Sequence, residues 1–346
     1  MRSNSSPIQF MTQAMSLFVL PLSLAMVIGC GGPTEEPPAD PDSAPEATTP
    51  TDDVASDLTL AILEEGLSTP ESAEFDPASG DVFISNIVID EEIPIPDRYW
   101  LDDGTGFITR IAADGTVKEK SWRQEELDKL LDGPKGITLA EEKIYICDNA
   151  SLVVVPLDES EEITTIEIPD AEYLNDVCVK DGVVYTSDTK RALVYQVDGD
   201  TITEIKGPES INGITFLKDK LYAISFATPD LFLLDVTGEK PAEGLGLTDL
   251  YKKGDGIEPL EDGSLLITDF EGGKVVHLAA DLKTKTVIYD AGPDSSLADF
   301  GIDHAGGKLF IPSVLTDKLY IIDFKKALEK AMAAVEAATP DETPEG

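Results

Sequence analysis

The strongest constraint on this chain is a unit that returns six times. Each copy holds a polar residue, a small residue, a strand, a turn, a second strand ending in Ser, Thr or Asp, and a third strand. The copies begin ESAEFDPASGDVFISN at Glu71, KGITLAEEKIYICDN at Lys135, NDVCVKDGVVYTSDT at Asn175, NGITFLKDKLYAISF at Asn212, DGIEPLEDGSLLITDF at Asp255 and FGIDHAGGKLFIPSV at Phe300. Successive starts lie 64, 40, 37, 43 and 45 residues apart. Four of the five intervals fit the roughly 40 to 45 residues of a four-stranded propeller blade. Short Val, Ile, Leu, Tyr and Phe runs broken by Asp-Gly, Gly-Asp, Lys-Asp and Gly-Gly pairs are a strand signal. The predicted fold is therefore all-β, a six-bladed β-propeller over residues 58–326; a pair of β-sandwiches would not repeat at this period. The segment DLTLAILEEGL, residues 57–67, supplies a leading strand that can pair with C-terminal strands in one blade. Such closure removes the unpaired edge that an open stack would expose.

The ends read differently. FKKALEKAMAAVEAA, residues 324–338, combines strong helix formers with apolar residues at helical spacing, which predicts one short C-terminal helix followed by a polar tail through residue 346. At the other end, residues 1–29 carry one basic residue, Arg2, no acid, and an apolar run from Met15 to Ile28. A run this short reads as a secretory signal and not a membrane span. Val27-Ile28-Gly29-Cys30 resembles a bacterial lipobox, which implies acylation of Cys30. Residues 30–57 follow with eight acids, no base and many Pro, Thr, Ser and Ala, a composition for a solvated tether. The expectation is an extracytoplasmic, lipid-anchored monomer. Gly31, in place of Asp, favours the outer membrane.

Charge narrows the partners. The 346 residues carry 67 Asp and Glu against 26 Lys and Arg, a net of −41, which excludes nucleic acid because phosphates require positive surface. Two histidines are too few for a His-rich metal site, and three cysteines too few for a disulfide framework.

Innermost strands of a propeller line its axis, so equivalent positions of successive units form rings. The first residues of the six units give Glu71, Lys135, Asn175, Asn212, Asp255 and Phe300. Two carboxylates and two amide oxygens converging there would suit a hard cation such as Ca²⁺ or Mg²⁺. The alternative is that Asn and Asp serve local backbone at loop-to-strand turns.

Pro70-Glu71 followed by FDPASGDVFISN, with LNDVCVKDGVVYTSD, INGITF and DGIEPLEDGSLLITD, resembles the senescence-marker-protein/gluconolactonase family over about residues 68–324. The resemblance implies a single divalent cation, Ca²⁺ or another, held by Glu71, Asn212 and Asp255, with Asn175 at the substrate end. It further implies hydrolysis of lactones, the metal polarising the carbonyl and Asp255 acting as base. Two positions depart. Tyr173 stands where relatives acting on sugar acids tend to carry Arg, and Lys135 stands in the ring, where it would meet the substrate, replace the metal electrostatically or point outward. The rival reading is a non-catalytic propeller that binds a small ligand, glycan or protein.

Serine catalysis has no G-x-S-x-G elbow to support it. His277 reads as a strand residue and His304 as exposed beside a turn. The long first interval contains VIDEEIPIPDRYWLDDGTG, residues 88–106, either a lid bearing Tyr99 and Trp100 or a surface loop; its acids at 90–92 read as solvated or as a second cation site. Cys147 and Cys178 read as buried small hydrophobes, with a disulfide between them as the alternative.

Overall fold

The computed structural model describes residues 57–338 apart from 91, 95, 96, 100 and 129. Cys30, the signal, the tether up to residue 56 and the tail from residue 339 lie outside the described residues. The first strand, β1 (Thr59–Leu63), precedes the first unit. Blade one contains β2 (Pro70–Asp76), β3 (Asp81–Asn86), β4 (Phe107–Ala112) and β5 (Val117–Glu119). Blade two contains β6 (Pro134–Ala140), β7 (Lys143–Asp148), β8 (Ser151–Pro156) and β9 (Thr164–Glu167). Blade three runs through β10 (Leu174–Lys180), β11 (Val183–Asp188), β12 (Leu193–Asp198) and β13 (Thr201–Lys206). Blade four comprises β14 (Ile211–Leu217), β15 (Lys220–Ser225), β16 (Phe232–Leu234) and β17 (Glu243–Gly244). Blade five has β18 (Gly254–Pro259), β19 (Leu265–Asp269), β20 (Lys274–Leu278) and β21 (Lys285–Asp290). The sixth has β22 (Gly301–Asp303), β23 (Lys308–Ser313) and β24 (Lys318–Asp323), and β1 pairs antiparallel with β24 to complete it. All six sheets are four-stranded, and the predicted closure is the one observed.

Helix α1 (Gln124–Leu127) is the short turn of helix after blade one. Helix α2 (Phe324–Ala338) occupies the span that the sequence predicts. Its Phe324 and Ala327 join the cluster of Leu58, Tyr289 and Phe300, and Lys326 and Lys330 bond Asp57. No helix of the described residues is long and apolar enough to cross a membrane.

A β-bulge recurs at the head of every inner strand of blades one to five, between Pro70 and Ala73, Pro134 and Ile137, Leu174 and Val177, Ile211 and Ile214, and Gly254 and Ile257. A bulge turns two successive side chains toward the same side of the strand. In blade six the bridge Leu297 to Ser313 precedes the pair Gly301 to Phe310, which reproduces the register. The sixth ring position is consequently Ala298. This corrects the sequence expectation: Phe300 falls two places later, where it is 1% exposed in the core between blades.

The bulge explains the repeat's small residue and its hydroxyl. Adjacent inner strands approach so closely that a Cβ on Gly136 would lie 2.6 Å from Asn175 O, and one on Gly213 2.5 Å from Asp255 O. Only glycine fits there. Where blades carry Ser or Asp instead, the side chain reaches the next blade: Ser72 Oγ accepts from Ile137 N at 3.2 Å, and Asp176 Oδ2 from Ile214 N at 2.6 Å. In blades one, three and five the bulge withdraws an N–H from the ladder, and a hydroxyl on the second strand takes it. Ser85 accepts from Ser72 N, Ser187 from Asp176 N and Thr268 from Gly256 N. The Asp closing a second strand then holds the loop that enters the ring, as Asp148 does by accepting from Asp132 N and Gly133 N.

Candidate functional site

Around the channel mouth the ring reads Glu71, Lys135, Asn175, Asn212, Asp255 and Ala298. All six are buried, none more than 7% exposed. Asn212, Asp255 and Glu71 form one arc, with only the Ala298 methyl between the two carboxylates. Asn212 Nδ2 lies 3.5 Å from Asp255 Oδ2. Glu71 Oε2 and Asp255 Oδ1 are buried and have no hydrogen-bond partner among the described residues. Burial drives both carboxyls well above the ordinary range, and for Glu71 the nearby Asp255 adds to it. Without a counter-cation, ionising the pair is therefore costly.

Lys135 supplies that counter-charge only at a distance, drawing the Glu71 pKa down in part. Its side chain enters the wall of the mouth, but Nζ donates to Gly133 O at 2.7 Å and Asn149 Oδ1 at 3.0 Å and lies 4.4 Å from the centre of the Tyr173 ring. Those contacts occupy its three donors. No ion pair joins it to Glu71 or Asp255 among the described residues; burial lowers its pKa, and Asp148 is the carboxylate that most opposes this. The expectation that Lys135 meets the substrate finds no opening here, because the residue is 0% exposed.

Tyr173 sits at the rim, half-buried, with Lys190 Nζ at 5.7 Å from its ring centre. Burial raises its pKa, and Glu71, Asp255 and Tyr99 reinforce this; the Tyr99 carbonyl lies against Gly133, 3.4 Å from where a Cβ would stand. The insertion is thus fastened beside the mouth. Asn149 Nδ2 donates to Leu101 O at 3.2 Å and Asp102 Oδ1 at 3.0 Å, and Gly104 N donates to Asp132 Oδ1 at 2.8 Å. Asn149 therefore links the insertion to Lys135 through its two amide ends. Trp100 and Glu91 lie outside the described residues, and Asp90 closes an exposed turn by accepting from Glu92 N.

Reasoning from sequence missed two carboxylates beneath the arc. Asp299 accepts from Ser72 Oγ at 2.5 Å, and its N–H donates to Glu71 O at 3.1 Å; Asp176 braces blade four as described. Burial pushes Asp299 up to about 6. The signal was present for Asp176, which occupies the place of the repeat's small residue, whereas Asp299 reaches that place only once Ala298 is recognised as the ring position. The remaining expected groups sit elsewhere. His277 is 5% exposed within β20, and His304 is exposed in the turn after β22. Cys147 and Cys178 are both free, with Cys147 Sγ 3.1 Å from Thr186 Oγ1, so the disulfide alternative is not the one observed.

No protein-family model matches the chain, and no curated protein matches it in sequence. Solved structures do. A gluconolactonase from Xanthomonas campestris is 15% identical over 81% of this chain and 95% of its own, with a TM-score of 0.56. A luciferin-regenerating enzyme is 11% identical over 76% and 94%, with a TM-score of 0.54. A catalytically inactive histidine-to-alanine variant of virginiamycin B lyase from Staphylococcus aureus, solved with quinupristin, is 17% identical over 76% and 97%, with a TM-score of 0.51. These likenesses show the fold, and they match the propeller resemblance read from the motifs. Lactonase and lyase stand equally near, so the chemistry must be argued from the site.

Proposed function

We propose that the chain is a divalent-cation-dependent hydrolase of a lactone-like small molecule. The observation that carries this reading is the pair of orphaned oxygens, Glu71 Oε2 and Asp255 Oδ1, buried at one channel mouth beside Asn212. Two unpaired buried carboxylates are costly unless a positive charge joins them. The donors are all hard oxygens, two carboxylates and one amide, and among the described residues no group of three or more His, Cys, Asp and Glu is placed to hold a metal ion. Three oxygens would leave most of a hard cation's coordination to water or substrate. Glu71, Asn212 and Asp255 would hold it, and when bound it would polarise a carbonyl and lower the pKa of a bound water.

The chain's own groups do the rest. Asp255, held ionised beside a cation, would take a proton from the attacking water and return it to the ring oxygen as the acyl C–O bond breaks. Tyr173 and Tyr99 wall the rim and keep bulk water off the reacting carbonyl, while Asn175, 6% exposed on the same ring, offers an amide to the ring oxygens of the substrate. Lys135 holds the Tyr173 ring and the loop at Gly133 in place.

The lyase alternative has less support in this chain. The Staphylococcus aureus lyase is inactive when one histidine becomes alanine. The only two histidines here are His277, inside β20, and His304, in the turn after β22, where the inner strand ends; neither is on the mouth ring. Localisation follows the same reading: Cys30 carries the lipid anchor and the acidic tether holds a monomeric propeller off the membrane.

Calorimetric titration of the full chain with Ca²⁺ tests the cation. One site is expected, lost in Asp255→Ala, and absence of binding by Ca²⁺, Mg²⁺ and Mn²⁺ alike ends the proposal. A lactone panel with and without chelator then tests hydrolysis, and turnover unaffected by both chelator and Asp255→Ala removes Asp255 from its role.

A further inference from the structure

A second ring of residues surrounds the mouth. In five blades the N–H of the residue that follows the second strand reaches back to the residue two places before the mouth ring. Phe226 N donates to Ser210 O at 2.9 Å, Phe270 N to Lys253 O at 2.8 Å, Thr189 N to Tyr173 O at 3.0 Å, Ile87 N to Thr69 O at 3.1 Å and Val314 N to Ser296 O at 3.2 Å. In blade two that place is held by Asn149, whose amide meets Lys135 and the insertion. Ile87 and Val314 are packed away, 4% and 6% exposed. Phe226 and Phe270 are only half-buried, and neither ring is among the side chains packed into the clusters that flank blades four and five. They meet each other instead, ring centres 5.2 Å apart and planes at 62°. Their blades are the two that carry Asn212 and Asp255, and the pairs Ile211 to Ser225 and Gly254 to Asp269 put each ring one residue beyond its ladder, at the mouth end. Lys253 Nζ lies 5.0 Å from the Phe226 ring centre and 3.2 Å from Glu271.

We propose that Phe226 and Phe270 form the specificity subsite of the mouth, and that the lactone it takes carries an uncharged aromatic group in place of the hydroxyls or carboxylate of a sugar acid. The proposal rests on the hydrolase reading for the reaction and on the two rings for the recognition. Half-exposed rings keep apolar surface in water, and a phenyl group of the substrate removes that contact while adding a third ring to the edge-to-face pair. A carboxylate would find Lys135 sealed in the wall, Lys253 held by Glu271 and Lys190 drawn to the Tyr173 ring. Hydroxyls would lose water against two rings that offer no hydrogen bond. Phe75 borders a different space, a half-open cavity of about 910 Å³ at the far end of the channel with Glu74, Glu258, Asp303 and His304 around it.

The test uses the full chain with Ca²⁺ and two matched pairs of probes. For turnover these are γ-phenyl-γ-butyrolactone and γ-butyrolactone; for binding, followed by calorimetry, they are the corresponding lactams, which resist hydrolysis. The phenyl lactone should lead in kcat/KM by at least about tenfold, and the phenyl lactam should bind at one saturable site at least about tenfold tighter than its unsubstituted partner. Phe226→Ala and Phe270→Ala should each cut both preferences several-fold, whereas Phe75→Ala should keep them. Circular dichroism verifies the fold of each variant, and Leu replaces Ala where it fails. Binding of the phenyl lactam with neither lactone hydrolysed supports the subsite and ends the hydrolase reading. Equal kcat/KM for the two lactones overturns the subsite alone, as does a preference that survives both Phe variants or faster turnover of glucono-δ-lactone than of the phenyl lactone. Absence of saturable phenyl lactam binding overturns it as well.

Discussion

Replacing Glu74 with Gln should make the protein more stable at pH 8 and leave it nearly unchanged at pH 5. Glu74 is pushed up to about 8 by burial, offset in part by the Leu139 N–H and reinforced by Asp299 and Asp76. The other titratable groups facing it are Glu258 across the channel and Asp303 and His304 at the cavity edge. A carboxyl that binds its proton more tightly when folded favours folding at low pH. That contribution fades as pH rises from about 4.5 toward 8, because the unfolded chain has already released the proton. The three pH units from pH 5 to pH 8, at about 1.36 kcal/mol each, bound the loss between the two conditions at about 4 kcal/mol. Because the residue is only partly buried and opens onto a cavity, water screens part of this, and about 2 kcal/mol is the expected size. For a domain of this size that is roughly 4 °C in melting temperature. Gln keeps the oxygen that accepts from Leu139 N and cannot ionise. Thermal or urea unfolding of both proteins at pH 5 and 8 measures the difference; a variant destabilised equally at both, or a wild type whose stability is flat across the range, would refute the reasoning.

Other consequences follow from the same geometry. Cation affinity should rise as pH is raised above the ordinary carboxylate range, since binding at Glu71 and Asp255 displaces protons, and calorimetry in buffers of different ionisation enthalpy will register their release. Lys135→Met should tighten Ca²⁺ binding several-fold by removing a positive charge from the wall; if the ammonium instead replaces the metal, the wild type will bind no cation and the variant will gain a site. Asn149→Ala should free the insertion at Leu101 and Asp102, visible as faster amide exchange there, and cost about 1–2 kcal/mol. Gly213→Ala should destabilise by about 1–3 kcal/mol in chemical denaturation, because its methyl meets the Asp255 carbonyl at 2.5 Å.

The blade period, the closing strand and helix α2 were legible because each depends on spacing or propensity that the chain carries locally. The sixth ring position was not. Motif alignment placed Phe300 beside Asp255 because Phe300-Gly301-Ile302-Asp303 mimics Asp255-Gly256-Ile257-Glu258, whereas the strand register puts Ala298 there. The Asn-Gly and Asp-Gly pairs at Asn212 and Asp255 likewise suggested local turns. They lie inside strands, and their glycines answer to the neighbouring blade. Lys135 was the hardest to place from sequence. Its partners, Gly133 O, Asn149 and Tyr173, come from two blades and the loop between them, and no spacing rule joins those positions.

The bulges connect stability with chemistry. A regular strand would point one residue of each adjacent pair into the core and the other into the channel. The bulge aims both inward, one to seal the joint between blades and one to stand free at the mouth. Sealing residues become Gly, Ser or Asp according to the space left by the next strand, and the Ser72 and Asp176 side chains bond the neighbouring blade. Against that rigid frame, leaving Glu71 and Asp255 without donors works against folding, as burial without a partner always does. The same frame prevents them from relaxing away from each other, so a ligand with positive charge relieves the repulsion without first ordering the site. Charge at Glu71 and Asp255 should consequently oppose stability in the absence of cation. Asp255→Asn should raise the melting temperature of the chelated protein and abolish the further rise that Ca²⁺ gives the wild type; a variant less stable than the chelated wild type would show that Asp255 serves the fold and not a cation.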